Sequence, residues 1–211
     1  IEDARSWNIR REQGLIMCAA RPERGVDVLL TQIFPAILER LPTARLALCA
    51  YDCPNPQLEP FYRQIQQSAE SFGGKVEWHG ALNRAKLYGL MRRASLYCYP
   101  TPSPGDPSFS DTSCIAVMEA MANGLPVLTS KRGALAETIG DAGCLIDFDG
   151  PHAAVAEAVN RFAGAALRIL EFDPDYAAEL TTRGLARAEG LSWEGVARQV
   201  LAEQAAVCAE Q

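Results

Sequence analysis

Two acids stand eight residues apart in the run Asp111-Thr112-Ser113-Cys114-Ile115-Ala116-Val117-Met118-Glu119. A carboxylate only accepts hydrogen bonds, so it suits a diol with two O–H donors. The segment between the acids is rich in small and apolar residues and predicts a buried helix. Inside such a helix Glu119 needs a hydrogen-bonding partner, and a ligand could supply it. Eight helical residues rise about 12 Å. That is comparable to the distance between the hexose hydroxyls and the ribose diol of a nucleotide sugar, with the diphosphate between them. Asp111 is expected to N-cap the helix. The N–H groups of Thr112, Ser113 and Cys114 would then meet a phosphate at its positive end.

A second group of residues could bear on the same anion. Arg21 and Arg24 lie in the turn Arg21-Pro22-Glu23-Arg24-Gly25. Two guanidinium groups can neutralise a diphosphate and stabilise its charge as it leaves. Gly25 would let the next helix begin close to the phosphates. His79-Gly80 could lie near a nucleobase, and Lys131 and Arg132 could face the same cleft. Each residue also has a plainer reading. Asp111 would be a helix cap, Glu119 a salt-bridge partner, Arg21 and Arg24 solvated loop residues. His79 would satisfy a backbone group, and Lys131 with Arg132 would sit on the surface.

These residues need a scaffold, and composition limits what it can be. The chain has 211 residues, 48% of them hydrophobic, and a net charge of -6. It is long enough for one sizeable core. The acidic balance excludes a general nucleic-acid binder, which would show a basic face. Seven scattered cysteines without a C-x-x-C pair read as reduced core thiols of a cytoplasmic protein. His79 and His152 lack metal-ligand spacing, so no metal site is expected. No apolar run would span a bilayer and no signal peptide is visible. The first residues are Ile1-Glu2-Asp3, without Met, which suggests a piece of a longer protein or a chain that simply lacks its start.

Strands and helices alternate along the chain. Strands are expected at Leu15–Ala19, Leu46–Tyr51, Lys75–Trp78, Leu96–Tyr99, Pro126–Thr129 and Cys144–Ile146. Val26, Leu29, Leu30, Ile33, Ile37 and Leu38 follow helical spacing. A second helix should run from about Leu58 to Phe72 and stop at Gly73-Gly74. Asn83 should cap a third that runs through Ala94. Another helix begins near Gly133. The tail from about Gly150 is helical, with breaks near Asp173-Pro174 and Gly190-Leu191-Ser192. This alternation predicts an α/β fold with a doubly wound, Rossmann-like parallel sheet. One domain covers residues 1–211, with its core at 14–189 and a C-terminal helix at 190–211. Ligands of such sheets bind at the carboxyl ends of the strands, so chemistry belongs after Ala19, Tyr51, Trp78, Tyr99 and Ser130. There is no G-x-G-x-x-G after the first strand, no P-loop and no G-x-S-x-G.

The acid pair, the following Ala120-Met121-Ala122-Asn123-Gly124-Leu125-Pro126-Val127 and Gly133-Ala134-Leu135-Ala136-Glu137 resemble the retaining family 4 glycosyltransferases (glycosyl transferases group 1). The turn at Arg21 to Gly25 looks like that family's basic phosphate loop. Trp193-Glu194 resembles the start of its C-terminal helix. The resemblance covers about residues 14 to 205.

It implies the C-terminal, donor-binding half of a GT-B fold, with the N-terminal acceptor domain absent from the chain. By the resemblance, the catalytic residues are Asp111 on the sugar hydroxyls and Arg21 and Arg24 on the diphosphate. The donor-binding residues are Gly25, Thr112, Ser113, Cys114, Glu119 (on the ribose) and Gly80. The donor would be a UDP or GDP sugar, with no cofactor and no metal. The full enzyme would be cytoplasmic, with peripheral membrane association. Three departures stand out. The first acid is usually Glu, Lys is common where Arg24 stands, and the proline-rich loop 100–110 is longer. Two alternatives remain open. One is a nucleotide-sugar epimerase or glycan phosphorylase half. The other is an interaction module using Trp193, Val196, Val200 and Leu201.

Overall fold

The computed structural model describes residues 10–53, 55–101, 108–148 and 152–209. Most of the proline-rich loop (102–107) lies outside the described residues. Among the described residues the strands are β1 Leu15–Ala19, β2 Arg45–Cys49, β3 Val76–Trp78, β4 Leu96–Tyr99, β5 Val127–Ser130 and β6 Cys144–Ile146. They form one six-stranded sheet in the order β3-β2-β1-β4-β5-β6. Every pairing is parallel. Met17 at the centre of β1 faces Ala47 on one side and Tyr97 on the other. The sheet is the doubly wound, Rossmann-like one that the alternation predicts.

The strand sequences explain why the sheet is covered on both faces. β1, β4 and β5 are buried almost throughout, consecutive residues included. Consecutive residues point to opposite faces, so neither face can be open to water. The helices supply the cover. The first comprises α1 Val26–Val28, a wider turn Leu29–Ile33 and α2 Phe34–Arg40, without a break. The others are α3 Glu59–Ser71, α4 Arg84–Arg93, α5 Ile115–Ala122, α6 Leu135–Ile139, α7 His152–Leu167, α8 Pro174–Gly190 and α9 Trp193–Ala209. α7 packs on α2, while α5 packs on α8. One hydrophobic core runs from Leu15 to Ala188.

Local sequence explains several boundaries. Pro35 would drive its ring into the Thr31 carbonyl of an unbroken α-helix. The wider turn before it, closed by the Phe34 N–H on the Leu29 carbonyl, removes that collision. Asn83 caps α4 as expected, its side chain accepting from the Lys86 N–H at 3.0 Å. Asp173 caps α8 in the same way, accepting from the Tyr176 N–H at 2.9 Å. Gly73 closes α3 at a φ of 59°.

Among the expected boundaries that move, two bear on the site. β2 ends at Cys49, not Tyr51, because its ladder partner β1 ends at the opposite residue, Ala19. The helix carrying Glu119 begins at Ile115, not Thr112. Cys114 is its N-cap, and Asp111 is not.

Arg11 is a structural residue that sequence pattern does not reveal. Its guanidinium donates to the Met91 carbonyl at 3.3 Å and the Ala94 carbonyl at 2.6 Å, at the end of α4. It also donates to the Gly124 carbonyl, just past α5. One cation thus satisfies carbonyls at the negative ends of two helices. Burial lowers its pKa to about 10.

Candidate functional site

The strand order reverses between β1 and β4, whose connections leave in opposite directions. A crevice opens outside their carboxyl ends. A cleft of about 540 Å³ occupies this position. Ala19, Ala20, Arg21 and Arg24 come to it from the end of β1. Tyr51 and Asp52 follow β2, and Ala81 follows β3. The opposite wall is Tyr99, Asp111, Ser113, Cys114, Ile115 and Ala116. Four of the five loops singled out by the sequence therefore line one cleft.

The turn after β1 is built to present its arginines. Arg21 approaches Glu23 at 4.0 Å. Glu23 is buried and accepts from the Tyr62 hydroxyl of α3 at 2.8 Å. Burial first, and Glu23 second, push the Tyr62 phenol well up. Gly25 takes a φ of 101°, and a Cβ there would fall 1.8 Å from the Pro100 carbonyl oxygen. This glycine lets the β1 turn meet the β4 loop. Loop-on-loop packing is thus a requirement for glycine here beside the phosphate approach expected of it.

Asp111 is held from several sides. Its carboxylate accepts from the Ser113 N–H at 3.1 Å and the Tyr99 hydroxyl at 3.3 Å. Its backbone carbonyl accepts from the Ala134 N–H at 2.8 Å. Gly133 (φ 54°) permits that approach, since a Cβ there would fall 2.4 Å from the Asp111 carbonyl oxygen. The fifth loop, after β5, therefore supports the site without lining it. Burial first, and Asp111 second, push the Cys114 thiol up to about 12. Ile115 and Ala116, the first residues of α5, line the cleft. They bring to its wall the partial positive charge of a helix N-terminus.

The remaining sequence candidates do not line the cleft. Thr112 is exposed beside it. Glu119 lies one turn into α5, about 6 Å from its start. It accepts from the Tyr88 hydroxyl of α4 at 2.7 Å. That bond raises the Tyr88 pKa. The two acids therefore do not bracket an eight-residue helix, because the chain from Asp111 to Cys114 is not helical. Gly80 (φ 61°) precedes the lining residue Ala81. The His79 ring contacts the Glu77 carboxylate at 3.1 Å through Nε2, and its backbone N–H donates to the Leu48 carbonyl at 2.8 Å. Lys131 is exposed. Arg132 turns to the loop before Asp111 and donates to the Phe109 carbonyl at 3.0 Å.

Three lining or supporting residues escaped the sequence reading. Tyr51 is the last residue of an expected strand but lies beyond the observed one, Asp52 follows it, and Phe109 lies in a loop read only as proline-rich. An acid after β2, at the carboxyl edge, was the available signal for Asp52. Among the described residues all seven thiols are free. No described cluster of three His, Cys, Asp or Glu could hold a metal. No described helix is long and apolar enough to cross a membrane.

Fold and cleft together define a doubly wound α/β domain with a cleft at its topological switch point that two arginines and two acids line. Known proteins narrow this further. Residues 13–164 match the family described as glycosyl transferases group 1, and the chain belongs to that family. It is 33% identical over 128 residues to the O-antigen chain mannosyltransferase B of Escherichia coli, an overlap of 61% of this chain and 29% of that protein. Among solved structures it resembles a sucrose-phosphate synthase from Thermosynechococcus elongatus, with a TM-score of 0.68 at 23% identity. All of this chain is covered and 50% of that one. Anabaena HepE, solved with UDP and glucose, gives a TM-score of 0.66 at 19% identity. There 92% of this chain and 48% of that chain are covered. At these identities the structures bear on fold alone. The chain spans about half the length of these solved relatives.

Proposed function

We propose that this chain is the donor-binding half of a retaining glycosyltransferase. It holds a nucleoside diphosphate sugar, with UDP or GDP as carrier, at the carboxyl end of its sheet. The full enzyme passes the sugar to an acceptor hydroxyl and keeps the anomeric configuration. The observation that carries this reading is the meeting of Arg21, Arg24, Asp111 and the start of α5 around one cleft. The two guanidinium groups and the helix N-terminus suit two adjoining phosphates. Asp111 suits sugar hydroxyls, being an acceptor held in place by Tyr99 and Ser113.

The chemistry required of these residues is electrostatic. The acceptor oxygen bonds to the anomeric carbon as the bond from that carbon to the phosphate oxygen breaks; the diphosphate leaves with the electron pair and takes up the acceptor's proton. Arg21, Arg24 and the α5 N-terminus stabilise that charge where it develops. An acceptor-binding domain would close the cleft from the opposite side. In this reading the full enzyme works in the cytoplasm, and Glu119 with Gly80 lies at the ribose and base end. The family match and the mannosyltransferase relative support this choice of ligand class.

Calorimetric titration with UDP, GDP and ADP tests the reading. At least one should bind at millimolar concentration or better, and Arg21→Ala or Arg24→Ala should weaken it about tenfold or more. No binding of any of the three to the unsubstituted protein would sink the assignment.

A further inference from the structure

Phe109 connects the two sides of the cleft without lining it. Its ring lies over the Arg24 guanidinium, 4.3 Å from carbon to ring centroid. Its backbone carbonyl accepts from Arg132 Nε at 3.0 Å. The next two residues press against the same turn after β5. A Cβ on Gly133 would come within 2.5 Å of Ser110 Oγ and 2.4 Å of the Asp111 carbonyl oxygen. The segment 109–111 is thus clamped to one loop while its aromatic ring reaches across to another.

We propose that Phe109 is a positioning residue for Arg24, setting the plane of the guanidinium so that its edge meets a diphosphate in the cleft. The inference rests on the donor-site reading above. A guanidinium carries its N–H donors in its own plane, so a ring on one face leaves the edge open to two phosphate oxygens. A lysine ammonium has no such plane, and the pairing is specific to arginine. The stack also restricts a long side chain before any ligand arrives. Less rotamer freedom is then lost on binding. Arg24 lines the cleft, and the Phe109 ring lies behind it against the guanidinium, so the role assigned to Phe109 runs through Arg24.

The test is titration of the full chain with UDP, GDP and ADP, repeated on Phe109→Ala, Phe109→Leu and Phe109→Tyr. Phe109→Ala and Phe109→Leu should weaken binding about threefold to tenfold, the range of a partly exposed cation–π contact. Phe109→Tyr, which keeps the ring, should stay within about twofold of the unsubstituted protein. In an Arg24→Ala background, Phe109→Ala should add nothing. Binding by Phe109→Leu equal to that of the unsubstituted protein would overturn the pairing, as would equal losses with and without Arg24. Should Phe109→Ala fail to fold by circular dichroism, the leucine and tyrosine variants decide. If the unsubstituted chain binds a nucleotide and Arg24→Ala weakens it while Phe109→Leu does not, only the pairing falls. If it binds none of the three, the donor site falls and the pairing with it.

Discussion

Gly25→Ala should damage both stability and nucleotide binding, although it adds a single methyl group. At a φ of 101° an L-residue is strained, at a cost of about 1–3 kcal/mol. The methyl group would also sit 1.8 Å from the Pro100 carbonyl oxygen and 2.6 Å from its carbon. Both are backbone atoms, so no side chain can swing aside. The loops after β1 and β4 must separate by more than about 1 Å, a displacement that can cost a hundredfold where charged groups converge on a reacting centre. The combined stability loss is expected at about 2–4 kcal/mol, or a Tm lowered by about 4–16 °C for a domain of this size. Gly89→Ala is the internal control. Gly89 lies within α4, and a Cβ there would meet nothing within 4 Å. The same substitution should stabilise at that position, by about 0.5–1 kcal/mol. Thermal unfolding read by circular dichroism, with UDP, GDP and ADP titrations, measures both effects. Unchanged Tm and unchanged nucleotide affinity in Gly25→Ala would refute the packing that brings Arg24 to Asp111.

Two further outcomes follow from the support beneath the sheet. Arg11→Ala leaves the Ala94 and Gly124 carbonyls without their cationic donor and should cost about 3 kcal/mol in urea unfolding. A variant as stable as the parent would exclude the two-helix clamp. Glu12 accepts from Arg93 at 2.6 Å and from Arg45, and these bonds hold its carboxyl below the usual range. The folded pKa lies below the unfolded one, so the stabilisation is full above about pH 5 and is lost as pH falls through the folded value. Stability followed from pH 6 to pH 3 should therefore drop less steeply in Glu12→Gln. Parallel curves for the two proteins would count against the assignment.

The elements were legible because strand and helix periods differ in sequence. Leu96-Tyr97-Cys98-Tyr99 has no polar residue to spare for a solvent face, and the strand is buried on both. The β1–α1 turn stood out as a candidate because it holds two arginines and a proline just before a glycine, and both arginines line the cleft. What it could not disclose was its neighbour. Gly25 is required by the Pro100 carbonyl, 75 residues away in the chain. The expected helix start at Thr112 failed for a similar reason. Asp followed by small residues reads as a cap, but the Asp111 carbonyl is taken by the Ala134 N–H and its carboxylate by Ser113 and Tyr99. Tertiary contacts outweighed a local preference there.

The sequence alone therefore determined the layers, the parallel sheet and the two loops that hold Arg21, Arg24 and Asp111. Hydrophobic period, turn residues and residue chemistry are local properties, and local properties survive in a string of letters. The tertiary structure alone decided the strand order, and so the switch point between β1 and β4 where those loops meet. It also turned the acid pair into unlike residues. Asp111 lines the cleft, while Glu119 bonds Tyr88 one helical turn inside α5. Their eight-residue spacing is a distance along the chain. Whether it is also a distance along a helix depends on contacts with Gly133, Ala134 and Tyr99, and those form only when the chain has folded.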